Sequence, residues 1–140
     1  MHLTAKEIEL IRDSYRRIIP EVDRIAEEFY ADLFRRDPKL RGLFRDDMAG
    51  QGMRFMAAIS VIVDNLDDAE QLDRQVDLLA QAHGQFRLRE QAYRTMQEAL
   101  IDTFRYGLGQ RFTNEMQLAW RSAFSQICDA MMEAQAADHV

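Results

Sequence analysis

PEVDRIAEEFYADLFRRDP, residues 20–38, lies between the chain's two prolines and reads as one amphipathic helix. Pro20 has no amide hydrogen, so it ends a preceding helix, and its fixed φ suits the first turn of the next. Val22, Ala26, Phe29, Tyr30, Leu33 and Phe34 then recur at spacings of three and four, which puts them on one side. Asp37-Pro38 is a cap followed by proline at a first helical position. The stretch predicts a helix over about 20–36 and a short one from 38 to about 44.

Working outward, the same signals recur. Upstream, Thr4 and Glu7 form a capping box, with Ile8, Ile11 and Tyr15 on one face of the helix that Pro20 stops. Downstream, Arg45 to Asp47 is a polar corner. A helix of about 48–65 follows, with Gln51, Phe55, Ala58, Ile59 and Ile62 at helical spacing. Asp67-Asp68 restarts the chain into a helix of about 68–84 carrying Leu72, Val76, Leu79 and His83, with Gly84 as its stop. After the polar corner 85–90, a helix of about 91–106 carries Tyr93, Met96, Leu100 and Phe104. Tyr106 to Gly109 is a break, and Thr113 caps a last helix with Met116, Trp120, Phe124, Ile127 and Met131. The sequence therefore predicts an all-α fold of seven helices, six of them long, in one domain over 1–140, ordered from about 3 to 136.

Composition agrees. Of 140 residues, 47% are apolar and 30% charged, and there are only six glycines. These are the proportions of a packed globular domain rather than a disordered chain. The longest stretches without a formal charge, Phe55 to Val63 and Leu78 to Phe86, have nine residues each. A membrane span needs about 20, so none is expected. The first residues, MHLTAKEIEL, lack the apolar core of a secretion signal. One cysteine, Cys128, allows no internal disulfide, and a cytoplasmic location is expected. A net charge of −6 argues against a nucleic-acid partner.

Three histidines narrow the chemistry. His2 and His139 lie at the chain ends, which leaves His83 as the candidate in structured protein. Neither a pair of Glu-x-x-His motifs nor a His-Glu-x-x-His helix occurs. A metal held by protein ligands alone is thus not expected, whereas a metal inside a macrocycle needs only one axial imidazole.

Four pieces of sequence carry a family resemblance. They are Phe-Tyr-Ala-Asp-Leu-Phe at 29–34 with Asp37-Pro38 and Leu43-Phe44; Asp47-Met-Ala-Gly-Gln51 with Phe55; Ala80-Gln-Ala-His83; and Tyr93 with Trp120. In this order the chain resembles bacterial single-domain haemoglobins and the globin domain of flavohaemoglobins, from about Leu3 to Gln135. The resemblance implies a globin fold around haem b (iron protoporphyrin IX). It implies that His83 is the proximal iron ligand and that Phe44 packs on the porphyrin. Tyr30 and Gln51 become the distal polar pair, with Phe55 pressing on the ligand space and Arg54 reaching a propionate. Tyr93 matches the proximal tyrosine, and Leu79 and Met96 complete the expected lining.

The physics suits these roles. Oxygen at ferrous iron carries partial negative charge, and a phenol and an amide can both donate to it in a dry pocket. One position departs from the family. Where flavohaemoglobin-type globins place a glutamate on the last helix, this chain has Gln135. Glu133 is two residues early, a rotation of about 200° around the helix. A neutral amide there makes His83 a weaker electron donor and argues against peroxidase-like or strong dioxygenase chemistry.

Each residue also has a plainer reading when taken singly. His83 then reads as a surface or satisfied core histidine, Tyr30 and Phe44 as core aromatics, and Gln51 and Arg54 as solvated groups. Arg87 and Arg89 read as a solvated corner, and Cys128 as a small packing residue. The ordered conjunction favours the haem reading. It implies reversible binding of a diatomic gas (oxygen, nitric oxide or carbon monoxide), serving oxygen transport or oxygen-dependent conversion of nitric oxide to nitrate. The second activity calls for a separate reductase, since 140 residues hold no flavin domain. Two alternatives stand beside it. One is a haem-based gas sensor acting through a separate partner, and the other a haem-free interaction protein in which Tyr30, Gln51 and His83 are all replaceable.

Overall fold

The computed structural model of the chain describes residues 2–43, 48–84 and 90–137, without the side chains of 43, 48–55, 82–84 and 135–137. The described residues form six α-helices: α1 (Ala5–Ile18), α2 (Val22–Arg36), α3 (Met48–Asp64), α4 (Ala69–Gly84), α5 (Glu90–Leu108) and α6 (Asn114–Ala137). Three 3₁₀ helices, Ile19–Glu21, Pro38–Leu43 and Gly109–Arg111, complete them, and no strand occurs among the described residues. The expected all-α class is what the chain adopts.

The caps act where the sequence places them. Thr4 Oγ1 accepts from the Glu7 amide at 3.1 Å, and the Glu7 carboxylate accepts from the Thr4 amide at 2.8 Å. Asp68 accepts from the Gln71 amide at 3.2 Å, and Thr113 from the Met116 amide at 3.1 Å. Each satisfies an amide that a helix start leaves without an intrahelical partner.

Three boundaries correct the sequence reading. The short seventh helix is 3₁₀ rather than α. Six residues that include Gly42 form too few bonds to offset the cost of an α-helical nucleus. Pro20 lies in a 3₁₀ turn and α2 begins at Val22, because a residue without an amide hydrogen interrupts the ladder running out of α1. The break expected over Tyr106 to Gly109 is confined to its end: α5 runs on to Leu108, and the chain turns at Gly109, which has φ 58°. That left-handed conformation is open to glycine and costly for residues with a Cβ. Gly107 stays inside α5 for a different reason: a Cβ there would lie 2.8 Å from Ile25 Cδ1, so α2 approaches α5 closely at this point.

The core centres on Trp120, whose ring centroid lies 4.8 Å from Phe104 and 5.2 Å from Phe124. Its indole N–H donates to Ser14 Oγ at 2.7 Å. Ser14, fully buried, in turn shares its hydroxyl hydrogen between the carbonyls of Leu10 at 2.9 Å and Ile11 at 3.0 Å. This chain of bonds joins α1 to α6 inside an apolar core, and among the described residues no buried side-chain N or O lacks a hydrogen-bond partner.

A charged lattice ties α2 to α5. Arg36 donates to Asp32 at 2.8 Å and also reaches Asp102 on α5, while Arg35 reaches Asp32. Arg105 completes the lattice by bonding Asp102 at 2.8 Å. Burial pushes the Asp32 carboxyl up, but hydrogen bonds and charge from Arg36 and Arg35 outweigh it and hold the group below its ordinary value. A carboxylate with a depressed folded pKa contributes stability above its unfolded value, about pH 4, and loses that contribution as pH falls through the folded one. Asp32→Asn should therefore cost about 1–2 kcal/mol at neutral pH. In urea titrations, the gap between the two proteins should close below about pH 4. A gap that is the same at pH 3 and pH 7 would show that the charge of Asp32 contributes nothing.

Candidate functional site

The candidate site residues lie on helices that form a continuous packed set. α2 packs on both α3 and α5, and α3 packs on α4, which also leans on α6. Tyr30 belongs to α2, Gln51, Arg54 and Phe55 to α3, Leu79 and His83 to α4, and Tyr93 and Met96 to α5. Backbone packing thus gathers eight of the nine predicted positions onto four neighbouring helices. Phe44 lies outside the described residues, as do the side chains of Gln51, Arg54, Phe55 and His83.

Tyr30 is 7% exposed, a phenol carried into the interior on the apolar face of α2. Its ring stands 5.1 Å from that of Phe29 at 60° and stacks on Phe34 at 6.0 Å. Arg41, in the 3₁₀ helix after α2, covers the Phe34 ring at 5.5 Å. A guanidinium over an aromatic face is favourable, and here it shields one end of the aromatic row. The row follows from the Phe-Tyr-x-x-x-Phe spacing: Tyr30 and Phe34, four residues apart, stack along one side of the helix, and Phe29 adjoins Tyr30.

Tyr93 is 1% exposed on α5. It lines a cleft of about 470 Å³ between α5 and α6, together with Gln97, Cys128 and Met132. Burial, and after it the charge of Asp129, pushes the Cys128 thiol up to about 11. That thiol is protonated at neutral pH and so is neither a thiolate ligand nor a nucleophile. Leu79 and Met96 are partly buried against the core. Glu133 is exposed on α6, and the Gln135 side chain lies outside the described residues.

Two groups that support this region are not singled out by the sequence. Asp32 reads there as one of many surface acids, yet it is buried and binds Arg35 and Arg36 two residues beyond Tyr30. Tyr15 reads as part of the apolar face of α1, yet its hydroxyl bonds Ser60 and the Met56 carbonyl on α3. Both partners are remote in sequence or ordinary in type, and helical spacing carries no signal for them.

What this set can do chemically follows from its donors. Among the described residues, no group of three or more His, Cys, Asp or Glu could hold a bare metal ion. Two buried phenols, apolar helix faces and one imidazole-bearing position suit a large apolar ligand with few polar contacts.

Comparison with known proteins gives this arrangement a family. The flavohemoprotein of Bordetella pertussis is 26% identical over 113 residues, which is 79% of this chain and 28% of that protein. This chain spans about a third or less of the flavohemoproteins it matches. A tomato (Solanum lycopersicum) protein described as an anaerobic nitrite reductase is 24% identical over 98% of this chain and 99% of its own. In structure, the haemoglobin of the botfly Gasterophilus intestinalis superposes with a TM-score of 0.85 at 14% identity, over 96% of this chain and 99% of its own. The family model described as "Globin" matches residues 27–131, a span holding all nine candidate positions. On that match, and with the fold shared with solved globins, the chain belongs to the globin family.

Proposed function

We propose that this globin holds haem b through His83 and binds a diatomic gas, oxygen foremost, on the opposite side of the ring. The observation that carries the reading is Tyr30, a buried phenol in an aromatic row on α2, the helix packed on α3. A core position filled by phenylalanine would bury the same apolar area without the cost of desolvating a hydroxyl. A buried phenol is suited to donate a hydrogen bond to a polarised gas.

The residues fit a haem. One imidazole suffices for a macrocyclic metal, two of the candidate residues are buried phenols, and apolar helix faces suit a flat tetrapyrrole. When bound, haem supplies an iron at which oxygen, nitric oxide or carbon monoxide attaches reversibly. His83, in the last turn of α4, would hold the iron, and Leu79 and Met96 would line the ring. Tyr30 and Gln51 would donate hydrogen bonds to a polarised gas, while Phe44 and Phe55 would exclude water and Arg54 would meet a propionate. Tyr93 supports the orientation of His83 from α5. The finer physiological role we assign is oxygen-dependent removal of nitric oxide with electrons from a separate reductase. The likeness to flavohemoproteins supports it.

The test is spectroscopic and kinetic. Reduced protein should show a Soret band that shifts with carbon monoxide, and should consume nitric oxide when oxygen and a reductant are present. Tyr30→Phe should release oxygen about tenfold to a hundredfold faster, the worth of a lost hydrogen bond to a charged acceptor. Stopped-flow release measured against carbon monoxide reads this directly. Equal rates in the two proteins would remove Tyr30 from the gas site, and colourless protein after expression with ample haem would favour the haem-free alternative.

A further inference from the structure

We infer that Tyr15, together with Arg12, is a positioning residue that fixes α3 and so sets the hold of this globin on its gas. The inference rests on the reading above that α3 carries Gln51 and Phe55 over the ligand.

The geometry is specific. Arg12 and Tyr15 are three residues apart on α1 and both reach α3. The Tyr15 hydroxyl bonds Ser60 Oγ and donates at 3.4 Å to the Met56 carbonyl, the residue after Phe55. Arg12 donates to the carbonyls of Val63 at 3.3 Å and Asp64 at 3.4 Å and pairs with Asp67 at 3.1 Å. Those carbonyls belong to the last turn of α3, where a helix has no internal donors left and where a cation meets the negative end of the dipole.

These bonds matter because packing does not replace them. α1 packs extensively on α6 and only lightly on α3. Between α1 and α3 lies a cleft of about 710 Å³, lined by Ile8, Ile19, Val63, Tyr15 and Ser60 among others. Across an unfilled cleft, close packing cannot hold two helices in register, so the polar tethers do. Tyr15 itself is rigidly held, buried with its ring 6.4 Å from Trp120 at the core. A fixed anchor on one helix therefore holds the middle of another whose opposite end bears the distal residues.

Tyr15→Phe tests this with little risk to the fold, because the ring and its packing remain. Amides of residues 56–60 should exchange with deuterium at least about tenfold faster, while those of α5 and α6 keep their rates. In the haem-loaded protein, oxygen release should quicken about threefold, since a less fixed α3 presents its donor less well. Ser60→Ala should reproduce both changes. Ser14→Ala is the control: it weakens the bond between α1 and α6 and should leave the exchange of α3 and oxygen release unchanged. Unchanged exchange in Tyr15→Phe would overturn the anchor, and faster exchange with unchanged release would overturn its link to the gas. Exchange is read with or without haem, so a protein that binds none would refute the proposed function separately, through the missing Soret band.

Discussion

Protein carrying His83→Ala is expected to purify without a stable Soret band under conditions in which the unaltered protein retains haem. The reason is the donor inventory. His2 and His139 lie at the chain ends, which leaves the histidine of α4 as the one at a candidate position. Removing a group that merely orients a metal ligand costs about 10–100-fold in affinity, so removing the ligand itself should cost at least about 100-fold. Imidazole added to the medium should restore part of the spectrum by occupying the space left behind. Because His83 lies in the last turn of α4, helix content by far-UV circular dichroism should change little. Full haem retention with an unaltered spectrum in His83→Ala would show that another group holds the iron, and the functional reading would fall with it.

The largest effect on stability is expected from Trp120→Ala. Trp120 is 2% exposed and touches the rings of Phe104 and Phe124. Truncating such a residue leaves a cavity that a close-packed helical core refills only in part, at a cost of about 3–5 kcal/mol. Small domains are stable by about 5–15 kcal/mol, so this is a large share of the total. The thermal midpoint should fall by about 10 °C or more. Trp120→Phe separates the contributions. It keeps most of the buried area and loses the bond to Ser14 Oγ, whose hydroxyl still donates to the Leu10 and Ile11 carbonyls. Its cost should be about 1–2 kcal/mol. Urea unfolding of both variants checks the difference, and equal losses would mean that the hydrogen bond outweighs the cavity.

Features written locally in the chain were legible before the structure. Thr4 with Glu7, Asp68 and Thr113 each cap the helix that their sequence predicts, because a cap is decided within four residues. The buried sides of α2 and α5 follow from spacing, and Tyr30 and Tyr93 are buried as the core or haem readings both require. What spacing did not reveal was conformation and remote pairing. Gly107 and Gly109 look alike in sequence, yet one sits at a close crossing with Ile25 and the other turns the chain with a positive φ. Asp32, Asp102 and Arg36 resemble any solvated charges until folding brings 36 and 102 together. Tyr15 showed its apolar face to the pattern and kept its hydroxyl's partner, Ser60, hidden 45 residues away. Family likeness supplied the candidate roles that periodicity could not, and it did so on short motifs whose order mattered more than any one residue.

The bond from Trp120 to Ser14 spans 106 residues, and a further pair between the backbone of His2 and the amide of Gln126 spans 124. During synthesis the first helix leaves the ribosome long before the surface it needs exists. Much of its apolar side stays uncovered until α6 has emerged, so full docking of α1 belongs to a late stage of assembly. A polypeptide cut short before Trp120 would therefore leave the greasy stripe of α1 without its main shelter.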